Sequence, residues 1–564
     1  MFLLLFFLFF TTLLFWNFVW KRKGLPPGPI PLPIFGNTFS INNSLYEQFQ
    51  IWAKEYGPVF TIWLGEDPTV IVTDYEIMRD LFIKEGDIYA GRNLMGDLFK
   101  TFSVVKDDYG GVIRTEGDPW GLCKLDHISD MTFVKDDYGG VIRTEGDPWK
   151  AARRFGLQSM RNLGVGRAGL EKHLLEDMER FIDQIKEEIS KNGGYNVNLQ
   201  SKIDRLAGTT VNRVTFGYPF EDVNIFSRFL LQTRCKNNYG LRKVLEHMSE
   251  FYEIKQHLED QTCLLSSLKG FMLMTMPWLR YFPIFSQTFK KLDNNLKICY
   301  EFIKRPINKR ISEREKQTPE ERGEPNDLVD YFLDQIETGK DEYFSLKTIA
   351  PFCFDLFLAG QDTTSTTLNF LILYLILDQR VQSKMHEELD RLDEEKGRNG
   401  FDNSVTQADR GKLPFLNAVI NETQRVCNLL PLNLTHRTMA DAQILGGKFH
   451  IKKGTSIIPQ ISCVLFDEKI FPNPHRFEPE RFLDDQGQLK RIEEFIPFSL
   501  GKRICMGESL AKTELFLFTA NFFRHFQVLP VDPLHPPSSE KIKGFSVKLH
   551  HYNCRIILRN RKEF

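Results

Sequence analysis

The first boundary in this chain is set by apolar residues. Residues 1–20 are almost wholly apolar, and Lys21-Arg22-Lys23 follow. At about 1.5 Å rise per residue such a helix would span about 30 Å, the hydrocarbon thickness of a bilayer. A cleaved leader wants a basic start and a small-residue cleavage site, and this segment has neither. We therefore expect a transmembrane signal-anchor over 1–20, with the basic cluster and all that follows on the cytosolic side. Residues 21–38 are basic and then Pro-rich, which predicts a stiff hinge. Leu45, Phe49, Trp52 and Tyr56 recur at helical spacing, and Gly57-Pro58 closes that helix. β-Branched and aromatic residues over 59–64 and 69–73 predict a hairpin turning at Glu66-Asp67-Pro68. Asp74 should cap a helix whose apolar face carries Ile77, Met78, Leu81 and Phe82. Helical periodicity recurs near 166–192, 286–315, 345–396 and 410–428, with short strands near 443–460 and at the C-terminus. The expected fold class is mainly α with minor β, in one large unit over 39–564.

Two segments break this pattern. Residues 105–120, VKDDYGGVIRTEGDPW, recur identically as residues 134–149. Working repeats drift and come in at least three units, so two identical copies read as a recent duplication or a faulty gene-model product. Residues 224–249 are a polar stretch between two helical patterns and read as a second insertion.

Composition narrows the function. The 73 basic and 74 acidic residues leave a net charge of -1, which gives no field for nucleic acid. The 49 phenylalanines suit a large apolar core or an apolar ligand pocket. The nine cysteines are scattered, without a CxxC pair, so neither a disulfide framework nor a zinc site follows. A reducing compartment fits them best.

One cysteine stands apart. Cys505 lies in Phe498-Ser499-Leu500-Gly501-Lys502-Arg503-Ile504-Cys505-Met506-Gly507, just before a helical run from Glu508. Glycines there allow a tight bend and close approach to a flat group. A helix N-terminus stabilises a thiolate through its dipole and free amides, and Arg503 can neutralise a carboxylate. Ala359-Gly360-Gln361-Asp362-Thr363-Thr364 sits inside a long apolar helix. Small residues let a bulky group press on that face, Thr can loosen the helix, and Asp362 can relay protons. Glu422 and Arg425, at i and i+3, would ordinarily be a surface pair, but Phe477-Glu478-Pro479-Glu480-Arg481-Phe482 follows downstream.

Together these segments resemble cytochromes P450, closest to the animal microsomal drug- and lipid-metabolising branch. The likeness runs from the hinge to the C-terminus. It implies haem b with Cys505 as the axial thiolate, and Phe498, Gly501, Arg503 and Gly507 in the binding loop. Thr363 and Asp362 would deliver protons, and Ala359 and Gly360 would face the haem. Glu422, Arg425 and Arg481 would form a structural ion network. Trp149 and Arg153 match the family's W-x-x-x-R helix, and Arg92 and His436 match propionate partners. In the first repeat copy Lys124 stands where the arginine belongs, which favours the second.

The implied activity is insertion of one atom of O2 into an apolar xenobiotic, fatty acid or steroid at the endoplasmic reticulum membrane. Electrons would come from NADPH–cytochrome P450 reductase, with cytochrome b5 as a second partner. Lys150, Arg154, Lys502 and Lys512 are candidates for the docking face. The pocket would draw on the loop after Arg92, residues 354–360, residues 430–434 and the turn at Phe545. Rival readings are a haem-thiolate isomerase, a haem-binding sensor or an inactive carrier.

Overall fold

The structure, a computed structural model, describes residues 2–40, 45–92, 102, 140–165, 168–220, 239–397 and 404–559. The first copy of the repeat, the loop after Arg92 and residues 224–238 of the second suspected insertion lie outside them. Residues 239–249 belong to a helix that runs on to Ser266, so that half of the polar stretch is not a loop.

Helix α1, Phe2–Phe18, is almost wholly apolar. It is about 26 Å long at helical rise, shorter than the expected span. No helix of the described residues is long and apolar enough to cross a membrane. Buried Asn17 donates from Nδ2 to the Pro31 carbonyl at 2.8 Å, so the helix end is tied to the hinge. Lys21 meets Glu66 at 2.9 Å and lies over the Trp63 ring. Part of the basic cluster is thus spent on the body.

Helix α2 is Leu45–Tyr56, and strands β1, Val59–Leu64, and β2, Asp67–Val72, form the expected antiparallel hairpin. Its turn comes two residues early: Asp67 and Pro68 already pair with Leu64 and Trp63, and Gly65, at φ +65°, makes the bend. Asp74 caps α3, Tyr75–Arg79, by accepting from the Ile77 amide at 3.0 Å. Strand β3 is Gly91–Arg92. Helices α4, Gly146–Asn162, α5, Ala168–Asn192, and α6, Gln200–Phe216, follow, then α7, Tyr239–Ser266, and α8, Leu268–Thr275. Next come α9, Pro283–Arg314, α10, Leu328–Thr338, and α11, Leu346–Leu377. The periodicity over 345–396 is two helices: Asp378 ends α11 and caps α12, Gln379–Glu395, through the Val381 amide.

Helix α13, Pro414–Cys427, starts with a proline, which leaves the Phe415 and Leu416 amides free at the N-terminus. Glu388 of α12 accepts both, at 2.8 Å each. Strand β4, His436–Arg437, joins β3, and β5, Ala442–Ile444, pairs with β6, Phe449–Ile451. Strand β7, Ser456–Pro459, completes a mixed five-stranded sheet in the order β1-β2-β7-β4-β3. Helix α14 is Ile461–Leu465 and α15 is Glu508–His525. Strands β8, Phe526–Pro530, β9, Lys541–Ile542, β10, Lys548–Leu549, and β11, Cys554–Leu558, form two further pairs, β8 with β11 and β9 with β10.

Apolar α11 is the centre. Its C-terminal half packs into one core with α5, α12, α13 and α15. Its N-terminal half enters a second, aromatic core with Phe155, Phe332 and neighbouring rings. The two cores clamp α11, and the functional segments meet along its middle.

Candidate functional site

The Cys505 segment is a short turn over Gly501–Arg503 followed by the start of α15. The Cys505 amide donates to the Phe498 carbonyl at 3.0 Å, closing the loop. Gly501 stands at φ +74°, and a Cβ there would meet the Phe82 carbonyl oxygen at 2.0 Å. No other residue fits that approach. Ser499 also has positive φ, 67°, and its hydroxyl accepts from Asn433 Nδ2 at 2.9 Å. Asn433 thus holds a strained turn that leads into the cysteine. Cys505 is exposed to a cavity of about 280 Å³, which it lines. Burial pushes its thiol up, while the backbone amides of Gly507 and Glu508 at the helix start pull it down.

Three guanidiniums ring the same cavity: Arg92, Arg153 and Arg503. Among the described residues none of them has an ion-pair partner. Arg503 donates to the carbonyls of Ala90, Val141 and Thr144 and stacks on Trp149, 3.8 Å from its ring centre. Trp149 is therefore a platform for the arginine as well as a cavity wall. Arg153 donates to the Ile504 carbonyl at 2.8 Å, and Arg92 to that of Leu434 at 3.2 Å. Buried Arg92 Nε has no partner. Burial, then repulsion from its neighbours, pushes Arg92 down to about 9 and Arg503 down to about 7. Guanidinium does not give up its proton in proteins, so these shifts mean a buried deficit of negative charge. A ligand with two carboxylates would relieve it. His436 is buried behind this group, with Nδ1 2.8 Å from the Tyr89 carbonyl, and does not line the cavity. Burial and Arg92 hold it well below the usual imidazole range.

Ala359, Gly360, Thr363 and Thr364 of α11 line the cavity. Thr363 Oγ1 donates to the Ala359 carbonyl at 2.8 Å. The missing Cβ of Gly360 points at Val211 of α6, which it would meet at 2.6 Å, so its smallness also serves helix packing. Asp362 is not on the cavity wall. It turns to Lys548 of β10, 3.9 Å away. Gly501 shapes the loop from behind and likewise does not line the cavity.

Glu422, Arg425 and Arg481 meet in one buried ion network. Glu422 accepts from Arg425 Nε and Nη2 at 2.8 Å each, from Arg481 Nε at 3.1 Å and from the Glu478 amide at 2.9 Å. Arg425 spends its remaining donors on the Leu465 and Arg476 carbonyls. Glu422 and Arg425 are fully buried.

Several residues that shape the site carry no sequence motif. Asp355 of α11 accepts from the Val141 and Ile142 amides at 2.9 and 2.8 Å and pairs with Arg143 at 3.1 Å. It anchors the second repeat copy beside the cavity. Glu145 accepts from the Arg92 amide and pairs with Arg437, joining that copy to β3 and β4. Glu514 of α15 lines the cavity. An acid set among apolar helical residues was the available signal for Asp355 and Glu514. Val211, Val214 and Leu328 join Leu356, Leu430 and Leu434 on the apolar wall, whereas Phe545 does not line it. Of the four basic residues expected to dock a partner, Lys150, Lys502 and Lys512 already pair with Asp147, Asp87 and Glu508.

The family model for cytochrome P450 matches residues 26–124 and 131–554. Each matched stretch contains one copy of the repeat. Cytochrome P450 2H1 of Gallus gallus is 30% identical over 523 residues, which cover 92% of this chain and 90% of that protein. Cytochrome P450 2C23 of Rattus norvegicus is 30% identical, covering 91% of this chain and 89% of its own length. Cytochrome P450 2C41 of Canis lupus familiaris is 31% identical, covering 93% and 94%.

Proposed function

Because the chain belongs to the cytochrome P450 family and is therefore a haem-thiolate monooxygenase, we propose that it oxidises an apolar xenobiotic, fatty acid or steroid with electrons from an NADPH-dependent reductase. Haem, when bound, supplies the activation of O2. The observation that carries its placement is the set of three guanidiniums without an acid among the described residues, beside a cysteine that opens onto the same cavity.

In this reading Cys505 is the iron ligand, and the α15 N-terminus favours its thiolate. Phe498 and Gly507 flank it, and Gly501 keeps the loop against residues 80–84. Arg92, Arg153 and Arg503 take the two propionates, with Trp149 and His436 holding the arginines and their strands in place. Ala359 and Gly360 leave room on the opposite face. Thr363 donates back into its own helix and can turn to pass a proton, which Asp362 restores from the surface side. The apolar wall around Val211, Leu328 and Leu356 favours a substrate without charge, because an unpaired charge there would be costly.

The reductase, and cytochrome b5 as a second donor, would approach the face bearing Lys150, Arg154, Lys502 and Lys512. With three of these four already paired, shape and apolar contact would contribute more there than long-range attraction. Residues 1–20 would hold the protein at the endoplasmic reticulum membrane as a single anchor. The apolar surface of α1 supports this, since burying it in lipid removes it from water.

The decisive measurement is the carbon monoxide spectrum of the reduced, haem-loaded protein. It should show the red-shifted Soret band of thiolate ligation. Cys505→Ala should lose that band, and a variant that kept it would remove Cys505 from the iron.

A further inference from the structure

Two residues near the cysteine take a backbone turn that side chains rarely adopt, and they are bonded to each other. Ser499, at φ 67°, stands in the cysteine loop, and Asn433, at φ 57°, stands in the turn between α13 and β4. Both line the cavity. Asparagine tolerates the left-handed region better than most residues, whereas serine is held there at a cost. Asn433 Nδ2 donates to Ser499 Oγ at 2.9 Å and to the Pro459 carbonyl at 3.0 Å. Its Oδ1 accepts from the Leu434 amide at 2.7 Å. The amide group of the side chain can donate twice, so both donors are spent on residues far away in the chain.

The two ends of this link differ. On the Asn433 side the chain is fixed. The Asn433 amide donates to the Leu430 carbonyl at 2.9 Å, the Leu429 carbonyl accepts from the Val547 amide at 3.0 Å, and buried Gln460 donates to the Pro431 carbonyl at 2.8 Å. Arg92 donates to the Leu434 and Thr435 carbonyls just beyond. On the Ser499 side the chain leads to the cysteine. The Phe498 carbonyl belongs to the peptide plane that joins it to Ser499, so the turn at Ser499 sets where that carbonyl points. It accepts from the Cys505 amide at 3.0 Å. The Cys505 sulfur in turn takes the Gly507 and Glu508 amides at the start of α15. A rotation at Ser499 would therefore change how the cysteine is presented to the cavity.

We propose that Asn433 is a positioning residue for the iron ligand: by holding Ser499 in its left-handed turn it fixes the Phe498 carbonyl and, with it, Cys505. The inference rests on the haem-thiolate reading given above and adds to it a residue outside the cysteine motif. The same side chain joins the cysteine loop to the carbonyls that hold Arg92, so it ties the ligand to a residue that would take a propionate. When the bond to Ser499 is lost, the turn relaxes, the Phe498 carbonyl swings from the Cys505 amide, and the sulfur loses part of its amide contact. A sulfur with weaker hydrogen bonds gives more charge to iron and takes up a proton more easily. The reduction potential then falls, and the thiolate passes more readily to its neutral form.

The test uses the full-length, haem-loaded chain. Asn433→Gly leaves the backbone free to keep its positive φ and removes only the side chain. Its reduction potential should lie below that of wild type, and its reduced carbon monoxide complex should lose the thiolate band severalfold faster. Ser499→Ala removes the acceptor and should move both readings the same way. The double variant should add nothing beyond Asn433→Gly, because both substitutions break the same bond. Lower melting with unchanged potential and band lifetime would leave Asn433 a structural role only and overturn the proposal. So would shifts that simply add in the double variant, since the two residues would then act independently. Should Asn433→Gly fail to hold haem, Ser499→Ala alone decides by the same two readings. A wild-type protein without the thiolate band would overturn the haem-thiolate reading and this inference with it. A normal wild-type band with unmoved variants overturns this inference alone.

Discussion

At the scale of single residues, the site is governed by what burial does to charge. Arg92, Arg153 and Arg503 are held together on one cavity wall, engaged with carbonyls and with no acid among the described residues, a deficit that a bound dianion would relieve. Glu514 answers burial in the other way, by keeping its proton. That has a consequence for stability. The unfolded side chain releases its proton near 4.5, while the folded one holds it to about 8. Between those values the folded state binds more protons, so stability falls as pH rises through the window, by at most about 1.4 kcal/mol per pH unit. The contribution is complete below the unfolded value and gone above the folded one. Glu514→Gln should flatten this slope, read as melting temperature against pH for the two proteins. Equal slopes would mean that the carboxyl is not shifted.

Among elements, the joints matter more than the elements themselves. Helix α13 is started by Glu388 of a different helix and is tied to the segment before the loop by Glu422, Arg425 and Arg481. Glu422 is fully buried and serves two guanidiniums and one amide. Removing it strands Arg425, a fully buried cation. Breaking a buried pair in this way costs about 3–5 kcal/mol. Glu422→Ala should therefore melt well below wild type and lose haem on gel filtration. A variant with unchanged melting and haem content would show that the network bears no load. Asp355 plays a comparable part for the repeat, since its carboxylate gathers Val141, Ile142 and Arg143 at the edge of the cavity.

The whole molecule adds two questions, an anchor and a duplication. Helix α1 is apolar and ends on the hinge through Asn17. A chain beginning at Lys21 should sediment far less with membranes after expression, and equal sedimentation would place the membrane contact elsewhere. As for the repeat, residues 140–149 occupy the site, with Trp149 under Arg503 and Glu145 on Arg437. Deleting residues 121–149 joins Trp120 to Lys150, so the same residues reach the same partners from one copy. Loop closure changes by only about 0.6 kcal/mol per doubling of length. The deletion variant should bind haem at least as well and melt no lower. Loss of haem on deletion would make both copies part of the architecture.

The sequence by itself determined what local periodicity and short motifs can carry. It set the mainly helical class, the hairpin at 59–72, the Asp74 cap and the family likeness, and it singled out Cys505 as the candidate ligand. It also favoured the second repeat copy, because Arg153 follows only that one. These features depend on neighbours within a few residues, where spacing and side-chain type suffice. Tertiary structure alone decided where the acids face. Asp362 leaves the cavity for Lys548, and Glu514 and Asp355 enter it, though all three are acids flanked by apolar or small residues in helices. The one-residue break at Asp378, the use of Glu388 as a cap and the need for glycine at 501 against Phe82 belong to the same group. Each rests on contacts between residues far apart in the chain, and for a buried charge such contacts outweigh any local preference.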